Sequence, residues 1–180
     1  PRDYKKVMEA MDGGQLAELR RPLMEKAFGY TALYDSVIAN HFRQDILPDY
    51  LTFGFIKHAE LRYGENPHQK GVFYGNLEEM FTKWNGKELS YNNLLDVDAA
   101  VSLISEFTDT TFAILKHNNA CGIASRPKLV DAYLAALAGD PTSAFGGVLI
   151  TNNEIDLATA EEINKLFCEV IIAPAYDVKA

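Results

Sequence analysis

Positive charge is scarce in this chain of 180 residues, where 17 lysines and arginines stand against 25 aspartates and glutamates. The formal net charge of -8 repels polyanions, so we expect no nucleic-acid partner, and an anionic ligand must be met by a local basic cluster. No apolar run approaches the roughly 20 residues that cross a bilayer, and the first residues lack the apolar core of a signal peptide. We therefore expect a cytoplasmic protein with no membrane partner.

Cysteine is also rare, and long repeats and low-complexity tracts are missing. Cys121 and Cys168 occur without CxxC spacing, so the sequence predicts neither a disulfide framework nor a four-ligand zinc site. A buried thiol is the simpler explanation of Cys168. The hydrophobic fraction of 48% is enough for one sizeable core and an appended helical piece.

The pattern of the chain changes near residue 50. Before it, apolar residues recur at three- and four-residue steps, which predicts one helix, or two helices joined near Pro22 with this proline in a first turn. After it, strand patterns at 51–56, 71–74, 110–115, 144–150 and 170–172 alternate with helix patterns that start near Asp96, Pro127 and Asp156 and end near Phe107, Gly139 and Phe167. This order predicts an α/β fold with a largely parallel sheet covered by helices.

The most informative stretch is Lys116, His117, Asn118 and Asn119, directly after the apolar run 111–115. Strand ends at the carboxyl edge of an open α/β sheet face the ligand crevice, so this placement suggests proton transfer. Neighbouring strand residues point to opposite faces, and the pair shares a substrate only if the backbone turns at Lys116, which the asparagines and Gly122 permit. The ammonium favours a neutral imidazole that can accept a proton. A snorkelling lysine and a hydrogen-bonded core histidine are the alternative.

A second candidate is the loop 61–69, which is dense in hydrogen-bonding groups. The guanidinium of Arg62 is a planar fork suited to a phosphate, and Tyr63 can add a hydroxyl to the same group. His68 could reach a base or a reacting amine. The alternative is an ordinary turn that carries a surface arginine.

Three more positions carry groups suited to a nucleotide. Asn93 offers a donor and an acceptor to an amide or a sugar hydroxyl, although Ser90 or Asn92 could simply cap the following helix. Phe145 precedes Gly146 and a second glycine, which let the backbone approach a ligand closely or form a bulge. Glu169 suits a ribose diol, or mere solvation.

Taken together, segments 61–69, 89–94, 116–122, 140–147 and 171–174 resemble one enzyme family in content and order. This family joins 5-aminoimidazole-4-carboxamide ribonucleotide (AICAR) formyltransferase to IMP cyclohydrolase. The resemblance implies a three-layer, cytidine-deaminase-like α/β unit with a mixed, largely parallel sheet, preceded by a helical segment. Residues 1–46 then correspond to a helical connector to an absent cyclohydrolase domain, and residues 47–180 to the first deaminase-like half of the formyltransferase domain.

The resemblance also implies a reaction, a transfer of the formyl group of 10-formyltetrahydrofolate to the 5-amino group of AICAR without a catalytic metal. In this reading Lys116 and His117 are the catalytic pair. The positions that match substrate-binding groups of the family are Arg62, Tyr63, His68, Asn93, Phe145, Gly146 and Glu169, the last of which replaces an aspartate of some members.

The family's enzyme is longer than this chain and builds its sites between the subunits of a homodimer. We therefore expect a fragment, inactive alone, whose partners in the complete enzyme are AICAR, reduced folate and a second copy. A nucleotide-binding or regulatory module without catalysis is the alternative. A zinc deaminase is disfavoured because the chain lacks an H-x-E followed by P-C-x-x-C, and Cys121 has no nearby cysteine partner in the sequence.

Overall fold

The computed structural model describes residues 3–180, which divide into two compact units. The first unit extends to His58 and includes Tyr74–Met80, and the second comprises Ala59–Phe73 and Phe81–Ala180. Helices α1 (Tyr4–Asp12) and α2 (Leu16–Phe42) belong to the first unit, which confirms the expected N-terminal helical segment. Within residues 3–180, no helix is long and apolar enough to cross a membrane.

Helix α2 is continuous through Pro22, which lies in its second turn. The prediction of a first-turn proline is therefore wrong. A proline inside a helix removes one backbone hydrogen bond, here the one that would reach the carbonyl of Glu18. Its neighbours are mostly strong helix formers such as Leu, Arg, Glu, Lys and Ala, which support a helix across one missing bond.

The second unit is built on a four-stranded mixed sheet. Its strands are β3 (Thr111–Lys116), β4 (Asn119–Ser125), β5 (Val148–Thr151) and β6 (Val170–Ile172), in the spatial order β4-β3-β5-β6. Strand β3 pairs antiparallel with both β4 and β5, and β5 pairs parallel with β6. The α/β class with a mixed sheet is confirmed, although β5–β6 is the one parallel strand pair of this sheet among the described residues, because β3 returns through a hairpin.

Two further strands form a separate two-stranded sheet, β1 (Lys57–Glu60) with β2 (Val72–Tyr74). The strand predicted at 51–56 is not formed, and strand geometry begins only at Lys57. Its aromatic residues matched strand propensity, but Phe53 and Phe55 are mostly exposed and stack on each other instead of pairing with a neighbouring strand.

Helices cover both faces of the four-stranded sheet, as the expected three-layer arrangement requires. Residues of β3 alternate between the two cores, with Phe112 and Ile114 on one face and Ala113 and Leu115 on the other. The first face packs against α4 (Leu129–Leu137) and α5 (Leu157–Ile163), and the second against α3 (Tyr91–Ile104). All four of these β3 residues are buried, because an internal strand has helices on both sides.

Helix starts follow their caps. Asp156 caps α5 as predicted, since its carboxylate accepts a hydrogen bond from the N–H of Thr159 at 2.8 Å. Helix α3 begins at Tyr91, five residues before Asp96, because Ser90 provides the cap. Helix α5 ends at Ile163, before the predicted end near Phe167.

Gly122 has a different role from the one expected. It lies inside β4, paired with Ile114, and not in the turn after Lys116. A Cβ at this position would lie 1.9 Å from the carbonyl oxygen of Ala136 in α4. Glycine is therefore needed for the close approach of β4 and α4.

Candidate active site

Lys116 and His117 lie at a tight hairpin turn. Lys116 ends β3 and Asn119 begins β4, which leaves a two-residue loop of His117 and Asn118. Both loop residues have positive φ, 52° and 60°, which matches a type I′ turn. The backbone thus turns directly after Lys116, as the sequence predicted. Asparagine and histidine are both enriched among the non-glycine residues found in this left-handed region, which still costs an L-residue about 1 to 2 kcal/mol.

The ammonium of Lys116 is held at the edge of the sheet. Its Nζ donates a hydrogen bond to the carbonyl oxygen of Phe145 at 2.7 Å, and its side chain is half-buried. An ammonium has three N–H donors, so two remain for a ligand. The core-facing alternative for His117 does not hold, since His117 is exposed.

The Phe145–Gly146 segment forms a second tight turn beside this ammonium. Gly146 has φ 72°, and its N–H donates to the carbonyl of Phe167 at 2.8 Å. A Cβ at Gly146 would lie 3.9 Å from Lys116 Nζ and from the Phe167 ring. The rings of Phe145 and Phe167 are 5.4 Å apart, and more than half of each side chain is exposed. Glycine thus permits a backbone conformation that brings a polar edge and two aromatic rings close to Lys116.

Antiparallel pairing explains why these groups share one edge. Leu115 of β3 pairs with Val148 of β5, and Val148 pairs with Val170 of β6. The carboxyl end of β3 therefore lies beside the amino ends of β5 and β6, and the N–H of Glu169 donates to the carbonyl of Gly147 at 3.0 Å. Lys116 lies at the carboxyl end of β3, as expected, whereas Phe145–Gly146 and Glu169 precede β5 and β6, and the antiparallel pairing of β3 with β5 brings these ends to one edge.

Arg62 forms a polar cluster with three other predicted site residues. Its Nη2 donates to the Tyr63 hydroxyl at 3.2 Å and approaches Asn93 Oδ1 at 3.5 Å. The same nitrogen lies 3.9 Å from a carboxylate oxygen of Glu169. The guanidinium also stacks over the Tyr63 ring, 5.0 Å from its centroid. The contacts with Asn93 and Glu169 are long, so these two residues hold the Arg62 guanidinium only weakly.

Asn93 has a structural role as well. The Ser90 hydroxyl accepts from the N–H of Asn93 at 3.2 Å, and Asn93 Oδ1 accepts from the Ser90 N–H at 3.0 Å and from the hydroxyl at 2.8 Å. These bonds form a capping box at the start of α3. The cap at Ser90 is therefore confirmed, and it uses the carbonyl oxygen of the Asn93 side chain; contact of Asn93 with a ligand stays a prediction.

The structure does not bring all nine predicted residues together. His117 borders a cavity of about 170 Å³ that is otherwise lined by Asn92, Leu95, Asp96 and Asn118. A cavity of about 540 Å³ is lined by residues of the 64–72 loop and by Tyr91, and none of the predicted site residues lines it. His68 is exposed in that loop. The roles of the nine predicted residues in a site therefore stay predictions.

Two residues near these groups were not identified from the sequence. Phe167 stacks beside Phe145, and Asp96 accepts a hydrogen bond from the N–H of Asn118 at 2.7 Å. Asp96 is separated from Asn118 by 22 residues, and no local pattern predicts that bond. The only signal for Phe167 was its position two residues before Glu169.

The two cysteines, Cys121 and Cys168, are free thiols. Both thiols are partly buried, and burial raises the pKa of Cys121 and of Cys168 above the ordinary value of a thiol. The expected burial of Cys168 is therefore partial. Across the described residues 3–180, no group of three or more His, Cys, Asp or Glu side chains is arranged to hold a metal ion.

Comparison with known proteins supplies the family. The family model described as the AICARFT/IMPCHase bienzyme matches residues 1–180. The chain belongs to the AICARFT/IMPCHase family. Family membership accounts for the joint occurrence of the five segments, which separately had simpler explanations.

Individual members of the AICARFT/IMPCHase family are closely similar to this chain. The bifunctional purine biosynthesis protein PurH of Bacteroides thetaiotaomicron is 57% identical over 180 residues, which cover 98% of this chain and 35% of that protein. PurH of Rhizobium rhizogenes is 47% identical over 97% of this chain and 35% of its own length, and PurH of Rhodospirillum rubrum is 45% identical over 100% and 36%. The chain thus spans about a third of the length of these relatives.

Proposed function

We propose that this chain supplies one part of the active site of an AICAR formyltransferase in purine (IMP) biosynthesis. The reaction transfers the formyl group of 10-formyltetrahydrofolate to the 5-amino group of AICAR. The complete enzyme also carries an IMP cyclohydrolase and is a cytoplasmic homodimer, in which residues 1–46 form a helical connector and 47–180 the first half of the formyltransferase domain. The family match and the similarity to bifunctional purine biosynthesis proteins support this proposal.

The observation that carries the proposal is the edge shared by the Lys116 ammonium, the Phe145–Gly146 turn and Glu169. The type I′ turn presents His117 next to this edge. An ammonium and an imidazole on adjacent residues of a tight turn are the groups that an acyl transfer to a weakly nucleophilic amine requires.

Nucleotide binding is assigned to the Arg62 cluster. The contacts of the guanidinium within the described residues involve Nη2 and are long, 3.2 to 3.9 Å, so Nη1 and Nη2 together can turn a planar fork to the phosphate of AICAR. Tyr63 adds its hydroxyl, Asn93 and His68 face the base side, and Glu169 accepts from the ribose hydroxyls. A local cation is essential here because the chain as a whole is negatively charged, with a formal net charge of -8.

The chemical step is assigned to Lys116 and His117. The amine of AICAR is conjugated to a carboxamide-bearing ring and is a weak nucleophile. His117 removes its proton, a contribution of about 10²- to 10⁴-fold, or about 3 to 5 kcal/mol. Lys116 uses its remaining N–H donors to stabilise the formyl oxygen or to protonate the departing nitrogen.

The residues of this chain fit part of the folate cosubstrate. When bound, 10-formyltetrahydrofolate supplies the formyl group, and two N–H donors of Lys116 are available for its oxygen. No contact with the rest of the folate is assigned to these residues. In our proposal these contacts come from the second half of the formyltransferase domain, so the chain alone binds nucleotide weakly and is inactive.

We propose that a full-length enzyme contains this chain. A formyl-transfer assay with that enzyme tests the roles assigned to Lys116 and His117. We expect Lys116→Ala and His117→Ala to lower kcat at least 10²-fold while AICAR binding, measured by calorimetry, changes less than threefold. The exposed residues Lys87 and His41 provide matched controls, and Lys87→Ala and His41→Ala should leave turnover unchanged.

The same experiment distinguishes a catalytic role from the alternative, a nucleotide-binding module without catalysis. The Arg62 cluster favours this alternative because its contacts do not involve His117. If AICAR binds but both variants retain parental turnover, or if the parent shows no formyl transfer, catalysis by this pair is refuted. Parental turnover by residues 1–180 alone would refute the need for a second half.

A further inference from the structure

The turn that presents His117 is attached to α3 through Asn118. The N–H of Asn118 donates to Asp96 Oδ1 at 2.7 Å. With its amide oriented by its hydrogen-bond partners, the Asn118 side chain donates to the Leu95 carbonyl at 3.1 Å and to the same Asp96 oxygen at 3.2 Å. One carboxylate oxygen therefore receives both a backbone and a side-chain N–H from the loop residue that follows His117.

This attachment adds to the pairing of Lys116 with Asn119, which closes the hairpin. His117 and Asn118 both have positive φ, neither is glycine, and both are exposed, so packing does not fix their conformation. Within the hairpin, the Asn119 amide also donates to the carbonyl of His117 at 2.9 Å. Asp96 supplies the anchor that comes from another element, and a charged acceptor forms a stronger hydrogen bond than a neutral one.

Asp96 has no evident role within its own helix. It is the sixth residue of α3, beyond the cap that Ser90 and Asn93 complete. Aspartate is a poorer helix former than alanine, so α3 itself would tolerate its loss. Its two bonds to Asn118 are the interactions that distinguish it from Asp98, which is exposed further along the same helix.

We propose that Asp96 is a positioning residue that holds the His117–Asn118 turn in its left-handed conformation and so aims the imidazole at the amine of the substrate. The inference rests on the proposed function, since it gives Asp96 a role only through His117. The small cavity between Asp96 and His117 leaves the imidazole room to swing away once the bond is lost. A displacement of about 1 Å at a catalytic group can cost about 10²-fold in rate.

Kinetics of the full-length enzyme test the proposal. Asp96→Ala is expected to lower kcat about 10²-fold with a change in the KM for AICAR below threefold, because the phosphate cluster is untouched. Asp96→Asn keeps an acceptor oxygen of the same shape and is expected to lose roughly tenfold. Adding Asn118→Gly to Asp96→Ala should recover part of the rate, because glycine adopts positive φ without a tether. Asp98→Ala is the matched control and should match the parent.

A second measurement reports the backbone conformation of the His117–Asn118 turn. In the NMR spectrum of this chain, Asp96→Ala is expected to move the Asn118 amide proton upfield and to change the coupling constants that report φ at His117 and Asn118, whereas Asp98→Ala changes neither. Parental kcat together with an unmoved Asn118 amide in both Asp96 variants would overturn the proposal, as would a loss confined to KM. If His117→Ala itself retains parental turnover, the proposed function fails, which is a different result from an inert Asp96 beside an essential His117.

Discussion

Replacing Gly122 by alanine tests the packing that supports the hairpin. The new Cβ would lie 1.9 Å from the Ala136 carbonyl oxygen and 2.9 Å from its carbon, both of them backbone atoms of α4. A side chain could rotate away, but a helix backbone cannot, so α4 and β4 must separate by about 1 Å. That separation loosens the core in which Phe112 and Tyr133 pack edge to face.

Overpacking against a rigid backbone costs at least about 3 kcal/mol, the upper end of the usual range. With a urea dependence of about 2 kcal/mol per M, the unfolding midpoint of Gly122→Ala should fall by about 1.5 M. Urea titration followed by circular dichroism and by intrinsic fluorescence measures this shift.

The matched control is Gly29→Ala in α2, where no heavy atom lies within 4 Å of the added Cβ. Here the same substitution should stabilise the helix by about 1 kcal/mol, since alanine is the better helix former. If Gly122→Ala unfolds within about 0.5 kcal/mol of the parent, the close approach of β4 and α4 is refuted.

Three further predictions concern other parts of the second unit. Ser90→Ala removes the cap of α3 and should lower the free energy of unfolding in urea by about 1 to 2 kcal/mol; an unchanged midpoint would contradict the capping box. The Ser143 hydroxyl and N–H hold the pKa of Asp140 below its ordinary 3.8. The ionised Asp140 carboxylate therefore stabilises the folded protein above that pH, and this contribution is lost on acidification. Asp140→Asn should therefore lose less stability than the parent between about pH 5 and about pH 3, and an equal loss would exclude this group. Arg62→Lys keeps the charge but not the planar fork, and calorimetry should show at least roughly tenfold weaker binding of AICAR but unchanged binding of the unphosphorylated nucleoside; equal losses for both would argue against a phosphate contact.

Local signals in the sequence predicted much of the fold. The Asp156 cap, the apolar run that became β3 and the short strand β6 were all predicted close to their observed positions. Strand β4 was not predicted. Its residues are mostly small, because it packs closely against α4, and small residues carry little strand propensity. Its pairing with β3 is a tertiary effect that periodicity alone does not reveal.

The candidate site was predicted in the same uneven way. The turn after Lys116 followed from the asparagines that succeed His117, since asparagine tolerates positive φ. The antiparallel pairing of β3 with β5, which brings the carboxyl end of β3 to the edge where Gly146 and Glu169 lie, was not predicted. Asp96 is separated from the turn along the chain, and only the packing of α3 on the sheet brings it there.

An NMR titration with AICAR shows whether the Arg62 cluster and the Lys116–His117 turn bind the same nucleotide, which our proposal requires. In this chain, selectively labelled at Arg62, Lys116, His117 and Gly146, we expect all four signals to shift along one common binding curve. Shifts confined to Arg62, with Lys116 and His117 unmoved at saturation, would contradict it.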